Sequence, residues 1–292
     1  MNYSLASNLV KKSTLTLAML AALSLATTQA AEAGAIRRNL SYSPSISTLP
    51  GNDDGSTGAI NMGFTANFFG QTYSSLFVNN NGNVTFNGPL STYTPFGLTS
   101  TYTPIIAPFF ADVDTRPANS AEVTYGQTTV DGRNAFAVNW DPVGYYYEST
   151  DKLNQFQLVM IDRSDTGAGN FDFEFNYDQI QWETGSASGG SNGLGGSSAR
   201  AGFSNGTGTP GSFFELAGSA VNGAFLDSNQ QTGLIYNSLN SSVDGRYLFF
   251  ARNGAVTPEP VPEPSCVLGM LAFGALGAGS LRKSKQKSES LG

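Results

Sequence analysis

Histidine is absent from this 292-residue chain, and cysteine occurs once. A Ser-His-Asp triad and a His–Cys zinc site are therefore excluded. A single thiol cannot close an internal disulfide. Charge is also scarce. Only 13% of residues are charged, about half the usual share. Fifteen basic residues against 22 acidic ones leave a net charge of −7. A general nucleic-acid binder needs the opposite balance, because it must neutralise phosphates, so no nucleic-acid partner is expected. No Gly-x-x-x-x-Gly-Lys phosphate loop occurs. Apolar residues make up 40% of the chain, too few for a protein of many membrane spans. Aromatics at 12% and 34 glycines argue for a folded, turn-rich chain rather than a disordered one.

Two uncharged apolar runs stand near the ends. At the start, Lys11 and Lys12 precede a Leu- and Ala-rich stretch over residues 14–25. Small residues follow, and cleavage fits after Ala30 or Ala33. Residues 1–33 read as a secretory signal peptide, since the run is short for a membrane span of about 20 residues.

At the other end, Pro258-Glu259-Pro260-Val261-Pro262-Glu263-Pro264 forms a stiff linker over residues 258–264, because proline fixes φ and offers no N–H. Residues 265–281 carry no charge and are predicted to form a single transmembrane helix. Arg282, Lys283, Lys285 and Lys287 follow in the tail 282–292, and such charges stay in the cytoplasm. The helix is short and glycine-rich, which suits transient insertion. Pro262, Glu263 and Pro264, then the helix, then Arg282 and Lys283, resemble the bacterial PEP-CTERM sorting signal. That resemblance implies an exosortase-type processing enzyme as partner. It also implies transient anchoring in the inner membrane and delivery to the cell surface or the extracellular polysaccharide matrix.

Between these ends, residues 34–257 carry nine basic and 18 acidic side chains, a balance of −9. Strand signals are dense. Ile60, Met62, Phe64, Ala66 and Phe68 alternate with small or polar residues. Asn79-Asn80-Asn81-Gly82 separates two apolar runs and predicts a hairpin, as does Asp131-Gly132. Residues 155–161 suit a central strand. Phe171-Asp172-Phe173-Glu174-Phe175-Asn176-Tyr177 places four aromatics on one face and Asp172, Glu174 and Asn176 on the other. The acids are expected in solvent and the aromatics in the core, with Trp140 and Trp182. Residues 246–252 supply a late strand. No helical period is convincing here. The pattern predicts an all-β, antiparallel β-sandwich over 34–257, large enough to need no disulfide. The Gly/Ser-rich loops over 184–198 and 217–232 are expected to be mobile surface segments.

Ordered blocks from about residue 105 to 219 resemble the nidogen-like (NIDO) domain. They include Asp112-Val113-Asp114-Thr115-Arg116, Val138-Asn139-Trp140, Tyr177-Asp178-Gln179-Ile180-Gln181-Trp182 and Ala201-Gly202-Phe203-Ser204. The domain occurs in animal basement-membrane and other extracellular proteins. The resemblance implies a non-enzymatic role in cell–matrix adhesion, with a matrix protein or polysaccharide as partner. In a bacterial chain the same role reads as biofilm adhesion.

Asp112 and Asp114 lie two apart and share one face of an extended segment. They either hold Arg116 or contribute to a calcium site, and the ion pair is the favoured arrangement. Only a hard, oxygen-preferring cation suits a region without histidine or thiol. Asn52-Asp53-Asp54-Gly55 is a second acidic turn, without the ligand ladder of an EF-hand. The alternative function is a carbohydrate-binding or glycoside hydrolase-like surface protein using paired carboxylates, with Asp172/Glu174 or Asp112/Asp114 as the pair.

Overall fold

The computed structural model describes residues 34–100 and 102–257. The expected signal peptide, proline-rich linker, sorting helix and basic tail, with Glu263 and Arg282, lie outside the described residues. Among the described residues, no helix is long and apolar enough to cross a membrane.

The strands are β1 (Ser47–Leu49), β2 (Ile60–Phe68), β3 (Gln71–Asn79), β4 (Asn83–Thr85), β5 (Ile105–Phe110), β6 (Val113–Asp114) and β7 (Val123–Val130). They continue with β8 (Arg133–Tyr145), β9 (Ser149–Asp162), β10 (Phe171–Gln179), β11 (Arg200–Ser204), β12 (Phe213–Glu215), β13 (Arg246–Arg252) and β14 (Ala255–Thr257). Helix is limited, among the described residues, to single 3-10 turns at Leu98–Ser100, Ser186–Ser188 and Leu234–Tyr236. One sheet has the order β1-β7-β8-β9-β10-β13-β14, with β6 also pairing with β8. The other has the order β12-β11-β5-β4-β3-β2. The expected antiparallel, two-sheet architecture is therefore present.

Local chemistry explains the turns. Asp131 and Gly132 both have positive φ, 50° and 76°, as a two-residue hairpin of matching twist requires. They join β7 to β8 in continuous register from Val130↔Arg133 to Thr124↔Asn139. The run at 155–161 lies in β9, between β8 and β10.

The main core lies between the sheets. Phe171, Phe173, Phe175 and Tyr177 of β10 all point into it and are at most 1% exposed. Phe173 stacks on Phe249 of β13 at 4.9 Å and meets Phe203 of β11 edge-on at 5.6 Å. Trp140 stacks on Phe156 at 5.1 Å, and Trp182 meets Phe109 edge-on at 5.7 Å. Both tryptophans are fully buried, as the sequence predicts.

The opposite face of β10 departs from expectation. Asp172 and Glu174 are not in solvent; they are 6% and 2% exposed. The cause is a second cover. Residues 35–43 cross the outside of the larger sheet. The Arg37 N–H donates to Gln157 Oε1, the Thr128 hydroxyl to the Ser41 carbonyl, and the Ser43 N–H to the Gln127 carbonyl. Leu40 and Tyr42 pack on a small apolar cluster of Val130, Ala135, Ala137, Val159 and Ile161. Under this strap Glu174 takes a two-pronged contact from Arg37, at 2.7 and 2.8 Å. Asp172 is bracketed by Arg163 and Arg252, each at 2.6 Å. The Arg252 contact is an ion pair without hydrogen-bond alignment, since Asp172 Oδ1 has no hydrogen-bond partner.

The other sheet is also covered outside. All six residues of β5 are buried. Ile105, Ala107 and Phe110 pack outward against Leu98, Leu90 and Phe96.

The long loops are likewise pinned rather than loose. Glu183, fully buried, accepts from the Ser198 hydroxyl at 2.5 Å and from the Gly223 and Phe225 N–H groups at 2.7 Å. One carboxylate thus ties both Gly/Ser-rich segments together. Burial pushes Glu183 above the usual carboxylate range, against these donors.

Candidate functional site

The chain leaves one sheet after β5 and joins the other at β6. Asp112 occupies the bend between them and is 2% exposed. Its Oδ2 is buried and has no hydrogen-bond partner among the described residues. The loop after β10 closes directly over it. A Cβ on Gly185 would run into the Asp112 carboxylate, so only glycine fits there.

Two more acids approach from the turn before β2. Asn52 shapes that turn by accepting from the Gly55 N–H through Oδ1, at 2.6 Å. Its backbone N–H donates to the Thr115 hydroxyl oxygen at 3.0 Å. Its carbonyl accepts from the Thr115 N–H at 2.9 Å.

The β3–β4 turn forms the floor. Asn79, Asn80, Asn81 and Asn83 are at most 1% exposed and Gly82 among them is buried, where a hairpin turn is usually wet. Each amide finds partners. Asn80 Nδ2 donates to the carbonyls of Asp53 and Val113, both at 2.5 Å. Asn81 Nδ2 donates to Asp54 Oδ1 at 2.8 Å, and its Oδ1 accepts from the Val113 N–H at 3.0 Å. The Trp140 indole donates to the Asn80 carbonyl at 2.9 Å. Gly82 has φ 69°, and a Cβ there would collide with the Phe109 carbonyl.

This scaffold brings one oxygen each of Asp53, Asp54 and Asp112 within 4.8 Å of one another. Asp53 Oδ1, like Asp112 Oδ2, is buried and without a hydrogen-bond partner. Burial, then the charges of Asp53, Asp54 and Asp114, push Asp112 up to about 8. Burial and the neighbouring Asp114 push Asp53 up to about 6, although Arg116 pulls the other way.

Asp114 has a different environment. It is fully buried and held by Arg116 through Nε at 2.9 Å and Nη2 at 2.5 Å. The Glu148 and Arg116 N–H groups add two further donors, at 2.9 and 3.1 Å. Burial raises this carboxyl, but the donors outweigh it and hold it below the usual range. The ion pair with Arg116 is therefore present. Asp112 precedes β6, in a bend, so strand alternation does not fix where its side chain points. Its carboxylate joins Asp53 and Asp54, about 60 residues away in sequence.

The carbohydrate-active alternative pairs Asp172 with Glu174 on β10. Asp172 and Glu174 lie under arginines rather than in a cleft. A cleft of about 600 Å³ is lined by Arg38, Tyr177, Asp178 and Asp244. There Asp178 is engaged by the N–H groups of Ala35 and Ile36 and by Arg38. Gly189-Gly190-Ser191-Asn192-Gly193 has the spacing of a nucleophile elbow, but Ser191 lies in a loop, not between strand and helix, and no histidine exists to serve as base.

The nidogen-like domain family matches residues 74–253, reaching beyond the 105–219 stretch on both sides. Alpha-tectorin of Mus musculus is 36% identical over 233 residues, which is 70% of this chain and 10% of that protein. Alpha-tectorin of Homo sapiens gives the same figures. Nidogen of Drosophila melanogaster is 28% identical over 215 residues, 65% of this chain and 15% of that protein. This chain thus spans a small part, 10% to 15%, of these curated relatives. No solved structure matches it significantly. The match takes in every strand from β4 to β13, together with Asp112, Asp114 and Arg116. The chain belongs to the nidogen-like domain family.

Proposed function

We propose that this chain is an exported, non-enzymatic protein of the cell surface or extracellular matrix, in which the nidogen-like sandwich serves adhesion. The observation that carries this reading is the family match over residues 74–253. The arginine-sealed carboxylates of β10 support a non-catalytic role, since no substrate reaches them. The C-terminal Pro262-Glu263-Pro264 motif, apolar run and Arg282-Lys283 are the PEP-CTERM-like address that an exosortase-type enzyme removes. The partner is a matrix protein or polysaccharide.

Deletion of the gene, read by biofilm or cell-aggregation assay, tests the adhesive role. Unchanged aggregation would sink it. Sorting is tested separately by mass spectrometry of the mature C-terminus. Glu263→Ala should leave unprocessed protein in the inner membrane, and an intact tail on normal surface protein would exclude processing. A polysaccharide partner is the second reading, favoured by Tyr147 and Tyr102, which are 73% and 98% exposed and free to stack on sugar rings. A glycan array without signal would leave the protein partner.

A further inference from the structure

We propose that Asp53, Asp54 and Asp112 hold one calcium ion where the chain crosses between the sheets, and that Asp114 is not a ligand. Three features of the corner lead there.

The first is geometry. The three carboxylate oxygens lie within 4.8 Å of one another. Two oxygens sharing a calcium ion at about 2.4 Å lie no more than about 4.8 Å apart, and every pair among the three carboxylates meets that limit. The second is the orphaned donor set. Asp112 Oδ2 and Asp53 Oδ1 are buried and unpartnered. A buried carboxylate without a partner is costly, and a bound cation removes that cost. The third is the contrast with Asp114, only two residues on. Its lone pairs are taken by Arg116 and the Glu148 N–H, leaving little to offer a metal.

The ligand chemistry selects the ion. All three donors are hard oxygens. Waters completing an irregular shell suit calcium, which accepts six to eight ligands, better than magnesium, which demands a near-ideal octahedron. The Arg116 guanidinium lies 3.3 Å from Asp53 Oδ2 and offsets part of the negative charge. With three acidic ligands and a cation nearby, affinity falls in the range of extracellular modules, with a dissociation constant of about 0.1–1 mM. Asp53 and Asp54 precede the stretch matched by the family, so the site combines a family residue with two that lie outside the match.

The test uses the purified full chain, chelator-treated and then titrated with calcium chloride by calorimetry and thermal melts. A saturable heat is expected. The melting temperature should rise by about 3–6 °C at ten times the dissociation constant, and further with the logarithm of free calcium. Asp112→Asn keeps the shape of the side chain and should weaken binding at least tenfold. Asp54→Asn, at a more exposed position, should do the same and serves if the first variant fails to fold. Asp114→Asn should leave the calcium affinity within threefold. No heat and no shift at 10 mM calcium would overturn the proposal. An undiminished response in both Asp112→Asn and Asp54→Asn would place the ion elsewhere and overturn it too. A response to magnesium equal to that for calcium would refute the assignment of the ion.

Discussion

Two groups of acids in this molecule solve the same problem in opposite ways. On the outer face of β10, Asp172 and Glu174 are buried, and each is met by arginine side chains at 2.6–2.8 Å. At the corner between β5 and β6, Asp53, Asp54 and Asp112 converge with Arg116 as the one cation beside them among the described residues, and that guanidinium is mainly spent on Asp114. Burial is comparable for Asp112 and Glu174, both 2% exposed. What differs is the supply of positive charge from neighbouring elements. Residues 35–43 and β13 bring Arg37, Arg246 and Arg252 to the first group. The turns around the second bring asparagine amides and backbone instead. A buried acid thus reads as structure where cations or N–H and O–H donors from the chain meet it, as at Glu174 and Glu183, and as a candidate ligand where a buried oxygen is left without any, as at Asp112.

Substitution should give opposite signs at the two places. Glu174→Ala removes the two-pronged contact to Arg37 under the strap and should cost about 3–5 kcal/mol in urea melts. Phe173→Ala, on the core face of the same strand, should cost about 3–5 kcal/mol by opening a cavity. Near-equal losses from adjacent residues on opposite faces would mark β10 as covered on both sides. A loss below about 0.5 kcal/mol for Glu174→Ala would mean that the strap does not close over it.

Arg116→Ala should cost less, about 1.5–3 kcal/mol, because Asp114 keeps the Glu148 and Arg116 backbone donors. Asp112→Asn should do the reverse of Glu174→Ala. In chelator it removes repulsion with Asp53 and Asp54, so the melting temperature should hold or rise. A clear fall there would erase the contrast between the two groups.

The smallest expected effect is on pH dependence. Burial pushes Asp227 up to about 6. Its folded value lies above its unfolded one, so its contribution is full below about pH 4 and is lost as pH rises through about 6. Asp227→Asn should flatten that part of a stability–pH curve. Unchanged curvature would assign it to Asp53, Glu183 or Asp112, which shift in the same direction.

Much of the larger sheet was legible in the sequence. Alternation along Phe171–Tyr177 named the aromatic face, and Asp131-Gly132 named a hairpin. Alternation distinguishes two faces but cannot say that the second is also covered. That depended on residues 35–43, which lack a strand signal and lie far off in sequence, Arg37 being 137 positions from Glu174. The corner site was half legible. Asp112 and the Asp53-Asp54 turn each stood out, but local spacing pairs Asp112 with Asp114. The bend at Asp112, and the buried asparagine turn that meets Asp53 and Asp54, are products of tertiary packing.

The placement of β14 has a mechanical consequence. It is a three-residue strand that pairs with β13 and ends its sheet among the described residues, and its last residue, Thr257, faces Phe250 at the open end of the hairpin. Tension applied beyond Thr257 meets those rungs one after another, as a zipper, and not all together in shear. The packed rings of Phe173, Phe249 and the edge-on Phe203 behind β13 bear no load until the zipper has run. A molecule pulled from this end should show a short, low-force extension before the main rupture in single-molecule pulling. The edge strand then acts as a shock absorber for the sandwich, and a trace with one rupture and no early step would deny it that part.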